Sequence, residues 1–286
     1  MCNAINTLQV GRVAIRDNMD GLPALGPTDT LIPGMGFFSR TGMAPIEKPQ
    51  AMTQEDINDT IADYVHAAKS AIEAGFDGVE IHNANGYLLD QFLCDNINTR
   101  TDKYGGSVEN RTRFSLQVTD AVIAAIGADR VGIRFSPYSF FQDTASSNIV
   151  AQYGYALQEI DKRGLAYVHL IEPRMDLFTT STEKIEKLKE MARKQGVAED
   201  QLLTLDSLRS QIKNTPVITN GSYDATNSTE VLEKGNADAI SYGRTFTSNP
   251  DLPERLANGH PLTRYDRSTF YTKGPVGYTD YPTFKQ

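Results

Sequence analysis

Short apolar runs alternate with segments of helical spacing along most of this chain, and that alternation constrains the fold more than any other feature. Five runs read as strands, at about 78–81, 131–135, 166–171, 216–219 and 239–242. Between them, Ile57, Ile61, Val65, Ala68 and Ile72 recur at helical spacing after a Thr53-x-x-Asp56 capping signature, and Phe114, Val118, Ala121, Val122 and Ala125 do so between Ser107 and Gly127. Further helices are expected at about 150–163, 181–198 and 228–234. Strictly repeated βα order implies a parallel sheet whose strands are apolar because both faces are covered. With 286 residues, 40% of them hydrophobic, the chain can form one α/β barrel or two small domains. Residues 1–50 read differently: Pro23, Gly26, Pro27, Pro33, Gly34 and Gly36 punctuate them into an irregular N-terminal segment covering the sheet, with 10–14 as the end of a strand.

Polar side chains cluster just past the strands, where α/β folds place their chemistry. His82, Asn83 and Asn85 follow the first strand and precede Gly86-Tyr87. An imidazole and a carboxamide three residues apart can donate to one carbonyl oxygen. A nearby phenol can serve as a general acid. Arg134 is a cation amid apolar neighbours in Val131–Phe135, and burial demands that it be paired or face a ligand. Gly221 and Ser222 follow the fourth strand and Gly243 and Arg244 the fifth. Glycines there let backbone N–H groups approach phosphate oxygens, and Arg244 adds a charged fork. His169 lies along an apolar strand and reads as a satisfied core histidine.

The run Glu80-Ile81-His82-Asn83-Ala84-Asn85-Gly86-Tyr87-Leu88, followed by 98–107 and Glu109-Asn110-Arg111, closely resembles the old yellow enzyme family of FMN-dependent ene-reductases. The resemblance spans about 49–282. It implies a (β/α)8 TIM-barrel type of fold, N-terminally truncated or incomplete: the five strands correspond to the family's fourth to eighth, and most of the first three βα units are lacking or reduced to 1–15. Residues 51–286 are then the C-terminal part of a flavin-binding barrel. It further implies that His82 and Asn85 anchor a substrate carbonyl, that Tyr87 protonates the α-carbon, and that Arg134 lies against the flavin ring. Gly221, Ser222, Gly243 and Arg244 would hold the FMN phosphate, with serine at 222 where the family commonly has asparagine. Tyr278, in Gly277-Tyr278-Thr279-Asp280, and Phe178 would line the substrate pocket. The implied activity is reduction of the C=C bond of an enone or enal by NADPH or NADH through FMN.

Two other readings stand beside it, because the missing units would leave the flavin held from one side. One is a flavin-free isomerase or cyclase on the same scaffold. The other is an inactive or partner-dependent barrel fragment, with a homodimer or a partner chain covering the open sheet edges. A net charge of −8 argues against nucleic acid or an anionic membrane surface as partner. Cys2 and Cys94 have neither disulfide nor metal-ligand spacing, and no His/Cys/Asp cluster does. With no apolar run of 18 residues and no signal-peptide core in 1–16, the expectation is a soluble cytoplasmic protein without a metal.

Overall fold

The computed structural model of the protein describes residues 3–32, 34, 36–40, 42–173 and 181–284. The chain divides into two compact units, 1–217 and 218–286.

In the first unit, the N-terminal segment carries β1 (Ala4–Thr7), β2 (Leu25–Gly26), β3 (Gly36–Ser39), β4 (Gly42–Pro45) and β5 (Gln50–Ala51). The βα repeat follows as α1 (Gln54–Glu73), β6 (Gly78–Asn83), α2 (Leu88–Leu93), α3 (Val108–Ile126), β7 (Val131–Phe135), α4 (Ile149–Asp161), β8 (Tyr167–Ile171) and α5 (Ser181–Gln195). The helices begin where their caps dictate. Thr53 Oγ accepts the Asp56 N–H at 3.1 Å while the Asp56 carboxylate accepts the Thr53 N–H at 2.7 Å, a complete capping box. The Ser107 side chain accepts the Asn110 N–H to start α3, and Gly127, with φ 91°, ends it.

β1 pairs parallel with β6, β6 with β7, and β7 with β8. Residues alternate between the two faces. Val79, Ile81, Val131, Ile133, Phe135, Val168 and Leu170 lie in one core with buried residues of α1, α3, α4 and α5, including Ile57, Phe114, Leu157 and Leu188. The opposite face receives Glu80, His82, Arg134 and His169. A smaller core, Val13, Ile15, Ile32 and Ile46, holds the N-terminal segment together and packs against Tyr87.

β9 (Val217–Asn220), all but its first residue in the second unit, and β10 (Ala239–Ile240) are parallel, with Ile218 opposite Ala239 and Thr219 opposite Ile240. Tyr223, Val231 and Ala237 form the second unit's small core.

The five strands expected from the sequence are present, and β1 adds a sixth to the repeat. It escapes a reading by pattern because three of its four residues are exposed, so no apolar alternation marks it. The run 10–14, expected to end a strand, is instead a 3-10 turn at Gly11–Val13. Among the described residues, these six strands are two short of a closed (β/α)8 barrel. Among the described residues, no helix is long and apolar enough to cross a membrane and no side-chain cluster could hold a metal.

The capping box yields a direct expectation. Thr53→Ala removes one acceptor from the start of α1 and should lower unfolding stability by about 1 kcal/mol. Urea unfolding would read this as a lower midpoint at unchanged slope; an unchanged midpoint would show that the box is idle.

Candidate active site

Register builds the centre of the first unit's site. His82 on β6 lies opposite Arg134 on β7, which lies opposite His169 on β8. Below this row, the Glu80 carboxylate meets His169 Nδ1 at 2.9 Å, both side chains buried. Burial pushes the Glu80 carboxyl up, but the His169 hydrogen bond and charge, Arg134 and Tyr167 outweigh it and hold the group below the usual range. His169 is therefore satisfied on one nitrogen only, since its Nε2 is buried without a hydrogen-bond partner.

His82, 7% exposed, is pushed down to about 4, first by burial and next by the Arg134 cation; Glu80 and the Ala84 carbonyl pull the other way. At neutral pH it is an uncharged imidazole. Its Nε2 has no hydrogen-bond partner, and neither does Arg134 Nε. The Arg134 guanidinium is itself lowered, by burial against the opposing pull of Glu80 and Tyr167.

Tyr87 is the N-terminal cap residue of α2, and its ring lies 5.4 Å from that of His82. Asn85, between them in sequence, is left-handed with φ 56°, its N–H donated to Ser136 Oγ at 2.6 Å. The first unit thus sets His82 beside Arg134 by register and beside the Tyr87 ring, with Asn85 on the turn that joins His82 to Tyr87.

In the second unit, Gly221 and Ser222 leave β9 with φ 133° and 57°, and the Ser241 N–H donates to the Thr219 carbonyl, keeping the two strand ends side by side. Gly243 follows, and its carbonyl accepts N–H groups from Phe246 and Thr247 to open the helix Arg244–Thr247. The Arg244 guanidinium lies over the Tyr265 ring at 5.7 Å. Asn220 Oδ1 is buried without a partner. Tyr278 is 43% exposed, and its hydroxyl accepts the Tyr271 N–H at 2.6 Å. Phe178 lies outside the described residues.

Each set suits the part of FMN assigned to it. The unpartnered nitrogens of His82 and Arg134 offer a cation and a polar atom that burial would otherwise penalise. Two adjacent strand ends with glycine turns and an arginine suit a phosphate. Glu80, Asp90 and Ser136 were not singled out from the sequence, although Glu80 and Asp90 carry the signal that marked Arg134, a charge inside an apolar run.

Linkage makes the protonation of His82 testable. Its folded pKa of about 4 lies below the unfolded value of about 6.5, so between those pH values the unfolded chain binds the extra proton and stability falls as pH falls. Relative to His82→Asn, the wild type should lose up to about 3 kcal/mol from pH 6.5 to 4, at 1.36 kcal/mol per unit. Urea unfolding across that range checks it, and parallel curves for the two proteins would refute the neutral imidazole.

Residues 4–263 match the family model described as NADH:flavin oxidoreductase / NADH oxidase family. The chain is 49% identical over 282 residues to flavin oxidoreductase hxnT of Emericella nidulans, covering 96% of this chain and 70% of that protein. It is 44% identical over 280 residues to 12-oxophytodienoate reductase 1 of Oryza sativa subsp. japonica, covering 97% and 68%. The solved old yellow enzyme homologue from Zymomonas mobilis superposes with a TM-score of 0.86 at 34% identity, over 98% of this chain and 73% of that one. The chain therefore belongs to the NADH:flavin oxidoreductase / NADH oxidase family, the family of old yellow enzyme, as an FMN- and NAD(P)H-dependent oxidoreductase.

Proposed function

We propose that this protein reduces the C=C bond of an α,β-unsaturated carbonyl compound, with His82 and Asn85 holding the carbonyl oxygen and Tyr87 protonating the α-carbon. The observation that carries the reading is His82, a buried imidazole held neutral, with an unpaired Nε2, 5.4 Å from a phenol ring. A neutral donor pair polarises a carbonyl and stabilises the oxyanion that forms beyond it, without itself giving up a proton. Donation from His82 Nε2 uses the tautomer with its hydrogen on that nitrogen. FMN, reduced by NADPH or NADH, supplies the hydride when bound. Arg134 sets a cation toward the flavin ring, and Gly221, Ser222, Gly243 and Arg244 hold its phosphate. The family resemblance assigns Tyr278 to the substrate pocket. The name of the rice relative, 12-oxophytodienoate reductase, joins an oxo group to double bonds in one substrate, which supports this choice of reaction class. The apolar core of Val13, Ile15, Ile32 and Ile46 beside Tyr87 supports a role for the segment 21–48 in substrate selection.

A visible spectrum of the purified protein with added FMN tests the reading. The expected result is a bound-flavin band that NADPH or NADH bleaches and an enone restores. Tyr87→Phe should keep the band and the bleaching but slow its return by about 10²- to 10⁴-fold, the usual contribution of a general acid. A folded protein that stays colourless would sink the redox assignment and favour a flavin-free isomerase or an inactive fragment. Full-speed return in Tyr87→Phe would remove the phenol as proton donor.

A further inference from the structure

Asn85 and Tyr87 hang on one turn, and that turn is held from an unusual place. Asn85 and Gly86 are both left-handed, φ 56° and 72°. A non-glycine residue in that region stands against its own steric preference and persists only where its surroundings fix it. At Gly86 a Cβ would lie 2.7 Å from the Phe141 carbonyl oxygen and 2.9 Å from Gln142 Cβ, so glycine is required there.

Asp90 provides the fixing group. It is 1% exposed and sits in the first turn of α2, three residues beyond the cap residue Tyr87. A carboxylate at that position ordinarily reaches back to the N–H of the cap residue itself. Here the Tyr87 N–H is taken by the Ala84 carbonyl at 3.2 Å, and Asp90 Oδ2 instead accepts the Gly86 N–H at 2.9 Å, one residue further back. The same oxygen receives the Ser136 hydroxyl at 3.5 Å, and Ser136 Oγ accepts the Asn85 N–H at 2.6 Å. Asp90 Oδ1 accepts the hydroxyl of Tyr153 on α4 at 2.7 Å. Both N–H groups of the turn therefore end on one buried carboxylate, directly or through Ser136.

No lysine or arginine among the described residues pairs with this carboxylate. The titratable groups facing it are Tyr153 from α4 and Cys94 at the end of α2, and burial together with the charge of Asp90 keeps both protonated. Burial raises Asp90 itself to about 6, against the donors Gly86, Tyr153 and Ser136. A buried carboxylate answered by donors alone is expensive to keep, and its three donors all serve the turn or anchor the acid that holds it.

We propose that Asp90 is a positioning residue for the reaction: by gripping the Gly86 N–H and, through Ser136, the Asn85 N–H, it sets where the Asn85 carboxamide and the Tyr87 phenol stand. The inference rests on reading those two side chains as substrate-facing. Its grip is measurable without turnover, by amide hydrogen exchange at Asn85 and Gly86 in the full chain, with and without FMN. Asp90→Ala should speed exchange at both amides by about tenfold or more, as expected for a lost buried hydrogen bond. In the FMN-loaded protein the same change should lower kcat for enone reduction by about tenfold to hundredfold, the scale of a small misplacement, with flavin content unchanged. Asp90→Asn keeps one oxygen for the Gly86 N–H and should restore both readouts to within a few-fold of wild type. Tyr153→Phe removes the donor on Oδ1, so the acid limb of the kcat profile should move to higher pH. If Asp90→Ala does not fold, Ser136→Ala, which cuts only the path to Asn85, takes its place with exchange expected to rise at that amide alone. Unchanged exchange in Asp90→Ala, or unchanged kcat despite faster exchange, overturns the inference. A colourless wild type overturns the catalytic reading instead, and is told apart because the exchange experiment needs no flavin.

Discussion

The parallel register of β6, β7 and β8 is what the rest of the first unit's site depends on. It puts His82, Arg134 and His169 in one row because each falls on the same face of its strand, while Ile81, Ile133 and Val168 fall on the other and join the core. Once in that row, the charges cannot be independent. Arg134 needs an anion because it is desolvated, and Glu80, one pleat back on the same face, supplies it while also taking the hydrogen bond of His169. The imidazole of His82 then stands beside a cation with the anion already committed. Its neutrality follows first from burial and next from that cation, which register sets beside it.

Two buried groups beside the same turn respond to acid in opposite senses. Asp90, raised to about 6, binds its proton in the folded chain before the unfolded one does, so between about 3.8 and 6 its contribution to stability grows as pH falls. His82, lowered to about 4, has the reverse effect between about 6.5 and 4. Each amounts to about 3 kcal/mol at 1.36 kcal/mol per unit, so over the shared range they nearly cancel. Acid sensitivity then falls to groups such as Asp161, whose carboxylate is lowered despite the opposing effect of burial by N–H donors at Lys213, Asn214 and Thr215. At neutral pH only the effect of Asp90 remains, as a net cost. Such a cost is consistent with placement, and not stability, being what that residue supplies.

Much of this was legible in the residues. Thr53 with Asp56, Ser107 and Gly127 mark helix ends because each satisfies, or releases, specific backbone groups. Arg134 was legible as a charge inside an apolar run, and the Gly221-Ser222 and Gly243-Arg244 pairs as breaks at strand ends. What was not legible is long-range. β1 carries no pattern because pairing with β6, and not burial of its own side chains, makes it a strand. Glu80 and His169 are 89 residues apart, and nothing local joins them. The Tyr278 hydroxyl accepts a backbone N–H seven residues away, a contact that no local pattern marks.

The N-terminal segment, so irregular as sequence, closes the other side of the Asn85–Tyr87 turn. The Leu88 N–H donates to the Gln9 carbonyl, and the Gln91 side chain joins the Gly86 and Val10 carbonyls to the Arg12 N–H. Arg12, fully buried and drawn down by burial to about 10, spends its guanidinium on the carbonyls of Thr30, Gln142 and Asp143. Gln142 and Asp143 are themselves left-handed, φ 60° and 58°, and Gln142 Cβ would lie 2.9 Å from a Cβ placed on Gly86. Two left-handed pairs of residues thus lie close together. Arg12 gathers the carbonyls of one, while Asp90 and Ser136 gather the N–H groups of the other. Neither conformation would be favoured alone, because each places non-glycine backbone where sterics disfavour it. Clamping from opposite chemical sides lets a turn of three residues hold a carboxamide and a phenol in fixed relation without any regular secondary structure of its own.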